Sequence, residues 1–144
     1  IWTRHFLDSS QVIDFIDKND KTLIDIGSGA GFPGLVVAIL LKDRKISVKV
    51  KLIEKSPKKV KFLNKLIDEL RLNVEVIDKN IFQYPKKLSE DVYVARAFKP
   101  LKIILQLIHN RTENWKKLQN STVEAFQFFN KTFGLFKRFE AFVG

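Results

Sequence analysis

Residues 22–34 constrain the fold of this chain most, because they contain four of its six glycines within eight positions. A short apolar run, 23–26, precedes the glycines, and residues 35–41 after them are apolar and free of Gly and Pro. The first run is typical of a buried parallel strand, and the second is long enough for a buried helix. The stretch therefore predicts the strand, turn and helix that begin a βαβ unit. In such a turn, backbone N–H groups can approach a ligand closely.

The rest of the first 110 residues alternates between helix and strand patterns. Helices are predicted over residues 1–18, 57–70 and 101–108, and further strands over 47–54, 73–77 and 92–95. Pro57 suits the first turn of its helix, with Ser56 as the cap, and Pro100 begins the last helix. This alternation predicts an α/β fold with a mainly parallel, twisted sheet and helices on both of its faces.

Residues 111–144 depart from this pattern and contain seven of the 13 phenylalanines. Four of these phenylalanines recur at helical spacing and favour a helix: Phe129, Phe133, Phe136 and Phe139. The Asn-, Gln- and Lys-rich composition equally fits a disordered or misfolded tail. We therefore predict one domain, with residues 1–110 as its main part. Residues 111–144 form an atypical C-terminal segment, and the final strands of the sheet are missing or unrecognisable.

Composition favours an acidic partner and argues against several kinds of site. The chain carries 26 Lys and Arg against 16 Asp and Glu, a formal net charge of +10. That charge suits nucleic acid, the alternative being a solvated basic surface. There is no Cys and there are only two His, so a metal centre is not expected. No apolar run approaches the length of a membrane span, which fits a cytoplasmic protein.

The glycine turn itself has three interpretations. Residues 29–34 satisfy G-x-G-x-x-G, with Glu54 twenty residues later, as a dinucleotide site requires. The strand, however, ends more naturally at residues 25–27, and the pattern D-I-G-S-G-A-G is similar to the first motif of class I S-adenosylmethionine-dependent methyltransferases. In those enzymes an acidic residue that ends the second strand binds both ribose hydroxyls, and Glu54 stands in that place. A purely structural turn, with Glu54 as a solvated charge, is the third alternative.

The flanking residues narrow the resemblance. The segment R-H-F-L-D-S at 4–9 precedes the turn, and G-F-P-G closes it at 31–34. E-K-S-P-K-K-V-K-F-L follows the second strand at 54–63, and A-R-A follows the fourth at 95–97. Together these motifs resemble the RsmG (GidB) family, bacterial methyltransferases that modify N7 of one guanine in small-subunit ribosomal RNA. The match covers about residues 2–108.

The resemblance implies a set of site residues. The implied cofactor contacts are Gly27, Ser28, Gly29, Gly31, Phe32, Glu54, Ile81, Phe82 and Arg96. The implied catalytic candidates are Arg96, Lys58, His5 and Asp8. Each candidate has an alternative: His5 and Asp8 pair on a helix face, Lys58 is a solvated lysine, and Arg96 is structural. Many family members carry an Arg and a Glu at the positions of Asn80 and Phe82, so only a backbone contact is implied there.

The resemblance also implies an activity. The protein would transfer a methyl group from S-adenosylmethionine to guanine N7 of 16S ribosomal RNA. Its substrate would be RNA or a ribosomal subunit, and it would act as a monomer in the cytoplasm of a bacterium. N7 carries a lone pair and no proton, so no Ser, Cys or His dyad is expected. The alternatives are a non-catalytic RNA-binding remnant and a methyltransferase that acts on a small molecule.

A cluster of cations between residues 42 and 65 is expected to attract the RNA, with binding that weakens steeply as salt is added. The cluster comprises Lys42, Arg44, Lys45, Lys49, Lys51, Lys55, Lys58, Lys59, Lys61 and Lys65.

Overall fold

A five-stranded sheet forms the centre of the protein. The computed structural model describes residues 3, 6, 7, 10–31, 33–84, 87–95, 101–111 and 134–137. The strands are β1 (Thr22–Ile26), β2 (Lys49–Glu54), β3 (Val74–Asp78), β4 (Val92–Ala95) and β5 (Gly134–Lys137). Their order in the sheet is β3-β2-β1-β4-β5. The first four strands are parallel, and β5 is antiparallel to β4.

Helices connect the parallel strands. They are α1 (Gly34–Asp43), α2 (Pro57–Leu70) and α3 (Leu101–Arg111), with short 3₁₀ helices at Gln11–Phe15 and Ile81–Gln83. Pro57 occupies the first turn of α2, where its missing N–H needs no partner. Arg71 ends α2 in the left-handed conformation, with a φ of 51°. The predicted bounds of α2 are therefore confirmed, as are those of β4.

Two apolar clusters cover the two faces of the sheet. The residues of β1 are almost wholly buried, which explains why this strand has no polar alternation. One cluster joins the sheet to α1, α2 and the Gln11–Phe15 helix, and includes Val12, Leu23, Val37, Leu52 and Leu63. The other joins the sheet to α3 and the segment after β3, and includes Ile24, Ile53, Ile81, Tyr93 and Ile108. The predicted α/β fold with helices on both faces is confirmed.

The N-terminal helix is shorter than the predicted 1–18. Residues 3, 6, 7 and 10 are helical, a 3₁₀ helix follows, and the chain leaves helical geometry at Ile16. Two aspartates then favour a turn. The N–H of Asp17 donates to Asp20 Oδ2 at 2.8 Å, and the N–H of Asn19 donates to Asp17 Oδ1 at 2.9 Å. These side chains satisfy backbone donors that a continuing helix would use, which explains the early end.

The helix predicted from the phenylalanine spacing is wrong for residues 134–137, which form β5. Gly134 pairs with Ala95 and Lys137 with Val92. The open edge of β4 offers backbone hydrogen-bond partners, and pairing with it overrides a weak helical pattern. Phe129, Phe133 and Phe139 lie outside the described residues, so the prediction is not tested at those positions.

An ion pair links β2 to the loop before β4. Lys51 Nζ lies 3.0 Å from Glu90 Oε1, and the Lys51 and Glu90 side chains are 25% and 5% exposed. Burial lowers the pKa of Lys51, but the hydrogen bond and the charge of Glu90 outweigh that effect. The pKa is therefore raised from 10.5. The pair accordingly stabilises the folded state fully below pH 10.5. Its contribution is lost as the pH rises through the pKa of Lys51 in the folded protein, which lies above 10.5.

Replacing Lys51 with methionine is expected to lower the free energy of unfolding by about 2 to 3 kcal/mol at neutral pH. The change leaves the Glu90 carboxylate buried without its cation, and the partial exposure of Lys51 limits the loss. Urea unfolding measures the effect. A Lys51→Met, Glu90→Leu double variant should recover most of the stability, because no buried charge remains. An unchanged midpoint in Lys51→Met would contradict the prediction, as would a wild-type advantage that does not decrease at all as the pH rises above 10.5.

Candidate cofactor-binding site

A cavity of about 310 Å³ lies where the carboxyl ends of β1, β2 and β3 meet. Its walls come from three segments: the glycine loop after β1, the end of β2 with the start of α2, and the residues after β3. It is lined by Gly27, Gly29, Ile53, Glu54, Lys55, Lys59, Lys79, Asn80, Ile81 and Phe82. Open α/β sheets bind ligands at this edge, so the location alone makes the cavity a candidate site.

The glycine loop owes its path to three left-handed residues. Gly27, Gly29 and Gly31 have φ angles of 72°, 57° and 98°, which residues with a Cβ rarely adopt. The N–H groups of Gly27 and Ser28 both donate to the carbonyl oxygen of Ile53, at 3.0 and 3.1 Å. The N–H of Gly31 donates back to Ser28 O at 2.9 Å. The loop is thus folded on itself and tied to the end of β2.

Glu54 connects that loop to the beginning of α2. Its side chain is buried, with 7% of the residue exposed. Oε2 accepts from the N–H of Gly29 at 2.8 Å, and Oε1 accepts from the N–H of Ser56 at 3.0 Å. A carboxylate held by both oxygens has a defined orientation toward the cavity that it lines. The two oxygens retain further lone pairs for a ligand.

Four amides of the glycine loop already have hydrogen-bond acceptors within the protein. The N–H groups of Gly27, Ser28, Gly29 and Gly31 all donate to acceptors within the protein. The advantage of glycine here is space. A Cβ built on Gly29 would meet no atom within 4 Å, so it would project into open space where Gly29 lines the cavity. A ligand in the cavity can therefore approach both the backbone at Gly29 and the Glu54 carboxylate, which lines the same cavity.

The segment after β3 forms the opposite wall. Asn80 Oδ1 accepts from the N–H of Phe82 at 3.0 Å and so begins the short 3₁₀ helix. Ile81 is buried in the core, whereas Phe82 is 43% exposed. At the end of α3, the Arg111 guanidinium donates to the carbonyl oxygens of Phe82, at 2.9 Å, and of Tyr84. This clamp fixes the backbone of the wall against α3.

Three lysines are among the residues that line the cavity, and none of them was predicted as a site residue. Lys55 and Lys59 flank the start of α2, and Lys79 follows β3. Lys58, which the resemblance singled out, is exposed on the first turn of α2 and is not among the lining residues. The motif at 54–63 indicated that lysines lie near the site. Only the direction of each side chain on the helix, however, distinguishes Lys59 from Lys58.

The structure brings together five of the sequence-derived site residues: Gly27, Gly29, Glu54, Ile81 and Phe82. Ser28 and Gly31 belong to the same loop but are not among the residues that line the cavity: Ser28 is 3% exposed, and Gly31 packs closely against Leu35. Four other predicted site residues lie outside the described part of the chain: His5, Asp8, Phe32 and Arg96.

The predicted lysine cluster is not one continuous free surface. Lys51 is partly buried in its pair with Glu90, and Lys49 Nζ lies 3.0 Å from Glu75 Oε2. Those two lysines belong to β2, whereas the four lysines of α2 are all exposed: Lys58, Lys59, Lys61 and Lys65. Within the described residues, no group of three or more His, Asp or Glu side chains could hold a metal ion. In that same part of the chain, no helix is long and apolar enough to cross a membrane.

Comparison with known proteins identifies the family. Residues 1–121 match the model of the GidB family, which is described as rRNA small subunit methyltransferase G. The chain belongs to this family. It is similar to the ribosomal RNA small subunit methyltransferase G of Pelagibacter ubique, with 46% identity over 115 residues, 80% of this chain and 54% of that protein. The Bartonella tribocorum protein of the same name is 39% identical over 109 residues, 75% of this chain and 50% of that protein.

The family assignment confirms the resemblance seen in the motifs. The chain spans about half the length of the curated relatives that it matches. Solved structures agree on the fold. The putative methyltransferase yhhF from Escherichia coli is 18% identical, with a TM-score of 0.58 over 74% of this chain and 61% of that one. M. jannaschii TYW2 in complex with AdoMet is 16% identical, with a TM-score of 0.51 over 77% and 64%. The fold is therefore that of the class I methyltransferases.

Proposed function

We propose that this protein binds S-adenosylmethionine and transfers its methyl group to N7 of a guanine in small-subunit ribosomal RNA. The observation that carries the proposal is the pairing of a buried carboxylate, Glu54, with an open cradle at Gly29 in one cavity. Family membership and the class I fold support the same proposed activity. Residues 1–110 would form the main part of the catalytic domain, and residues 111–144 would belong to the same domain. The pairing of β5 with β4 supports this single-domain organisation.

The cofactor would be held by the three walls of the cavity. The carboxylate of Glu54 would accept from both hydroxyls of the ribose, because its two backbone donors leave lone pairs on each oxygen. Gly29 would let the amino-acid end of the cofactor lie against the backbone. The segment at Ile81 and Phe82 would contact the adenine, with an apolar side chain exposed at the cavity. Phe32 and Arg96 complete the proposed contacts.

The reaction makes few demands on the protein. Bound S-adenosylmethionine would supply an electrophilic methyl group on a sulfonium sulfur, which keeps the bonding electron pair and leaves as a neutral thioether. Guanine N7 needs no general base, so the chain has to align the base with the methyl group and exclude water. Arg96 and Lys58 are the proposed contacts to the base or to a phosphate, and His5 and Asp8 would border the pocket. Lys55, Lys59 and Lys79 would attract phosphates to its rim.

The proposed setting is the cytoplasm of a bacterium, with a monomeric protein acting on ribosomal RNA or on a ribosomal subunit. The formal net charge of +10 favours RNA over a small metabolite as the acceptor. The second candidate is a non-catalytic RNA-binding remnant, which the exposed lysines of α2 support. Such a remnant would retain the exposed lysines and bind no cofactor.

Calorimetric titration with S-adenosylhomocysteine tests the proposal directly. We expect saturable one-to-one binding, and we expect labelled methyl groups to pass from S-adenosylmethionine to small-subunit ribosomal RNA. Free guanosine serves as the control acceptor and should remain unlabelled. Absence of cofactor binding at millimolar ligand, with RNA binding intact, would favour the remnant. Methylation of small molecules alone would refute the assignment to RNA.

A further inference from the structure

An exposed aromatic ring lies among the lysines of α2. Phe62 is 49% exposed although phenylalanine is commonly buried in a protein of this size. Apolar residues of the same helix do reach the core, since Val60, Leu63 and Ile67 are all buried. Phe62 therefore does not serve the packing of α2 against the sheet. Its exposure calls for another explanation.

The lysines around Phe62 are available for a partner. Three lysines share the face of the helix that carries Phe62, because they lie three or four positions from it: Lys58, Lys59 and Lys65. In the part of the chain that the structure describes, no carboxylate forms an ion pair with Lys58 or Lys59. Lys65 has only a loose pair, with its Nζ 4.0 Å from Glu69 Oε1 and both side chains more than half exposed. An exposed pair of this kind is worth little.

This surface is continuous with the cavity. Lys59 lines the cavity, and Phe62 follows it by about one helical turn. A molecule lying along α2 can therefore contact the ring of Phe62 while its neighbouring part reaches the cavity rim. The rim carries two further cations, Lys55 and Lys79.

We propose that Phe62 is a stacking platform for an unpaired base of the substrate RNA, with the adjoining phosphates bound by Lys58, Lys59 and Lys65. An aromatic ring between cations matches single-stranded nucleic acid, which presents base faces and phosphates in alternation. A second copy of this chain would bring the same lysines and be repelled. A duplex hides the faces of its bases, so it could use the lysines only. The inference rests on the proposed function in taking RNA as the substrate.

The test measures the RNA affinity of variants of this chain by fluorescence anisotropy, with a labelled single-stranded oligonucleotide and a duplex of the same sequence. Phe62→Ala is expected to bind the single strand about tenfold more weakly and the duplex as the wild type does. Phe62→Tyr should restore single-strand affinity. Leu70→Ala is the matched control, an exposed apolar residue of the same helix about 12 Å further along. It should leave both affinities unchanged.

Two further measurements separate stacking from charge and from folding. In Phe62→Trp, RNA should quench the fluorescence of the introduced indole. Lys58→Ala should reduce the slope of log affinity against log salt by about 1, whereas Phe62→Ala should leave that slope unchanged. Wild-type single-strand affinity in Phe62→Ala, or an unquenched Phe62→Trp protein with bound RNA, would overturn the proposal.

Titration with S-adenosylhomocysteine distinguishes this proposal from the proposed function. If Phe62→Ala retains cofactor binding and loses RNA affinity, both proposals are supported. If the wild type binds RNA through Phe62 but binds no cofactor, the enzyme assignment fails and the platform stands. If cofactor binds and Phe62→Ala leaves RNA affinity unchanged, the platform fails and the enzyme assignment stands.

Discussion

Replacing Glu54 with glutamine is expected to weaken binding of S-adenosylhomocysteine about a hundredfold. The carboxylate accepts from Gly29 and Ser56 in the structure and would accept from the ribose hydroxyls in the complex. Glutamine has one acceptor oxygen, and its NH₂ group would face a backbone N–H, donor against donor. Loss of charged hydrogen bonds worth roughly 1.5 to 3 kcal/mol each accounts for the expected factor. Isothermal titration calorimetry measures it.

The neighbouring strand offers a matched control for this substitution. Asp78 ends β3, pairs in register with Glu54 and is exposed. Asp78→Asn removes the same charge at the same edge of the sheet, so it controls for the general electrostatic effect. We expect its affinity to remain within twofold of the wild type. Equal losses of affinity for S-adenosylhomocysteine in the two variants would show that only the charge matters and would refute the proposed ribose contact.

Replacing Gly34 with alanine is expected to lower the free energy of unfolding by about 3 kcal/mol. A Cβ at this first residue of α1 would contact Leu52 Cδ2 and lie 2.7 Å from Asp25 Oδ2, both within the packed interior. The N–H of Gly34 also donates to Asp25 Oδ2 at 2.8 Å, so any shift of the helix weakens that bond. Urea denaturation followed by circular dichroism measures the change.

Gly29→Ala is the informative comparison, because a methyl group there meets no protein atom within 4 Å. Its left-handed φ of 57° costs about 1 kcal/mol with alanine, so the protein should fold. The methyl group would occupy the cavity beside Glu54, and binding of S-adenosylhomocysteine should be lost. If Gly29→Ala destabilised the fold as much as Gly34→Ala, or if Gly34→Ala left stability unchanged, the described geometry of the loop would be contradicted.

Local sequence was sufficient to predict the helices and strands that have strong hydrophobic patterns. The apolar run at 23–26, the proline at 57 and the lysine-rich face of the next helix predicted β1 and α2. The resemblance to the methyltransferase motif also assigned the glycine turn and Glu54 to one site, and the structure brings Gly27, Gly29 and Glu54 to one cavity. The motifs around them were specific enough to indicate the family.

Only the tertiary structure decided how those residues are used. The loop amides donate to Ile53, Glu54 and Ser28, and the sequence cannot show this because the partners include residues 25 positions away. Lys51 contacts a buried carboxylate on a distant loop, whereas Lys59, one helical position from Lys58, faces the cavity. At residues 134–137 the free edge of β4 outweighed the helical spacing of phenylalanines. Periodicity and motifs determined the elements and the family, and contacts between segments far apart in the chain determined the site.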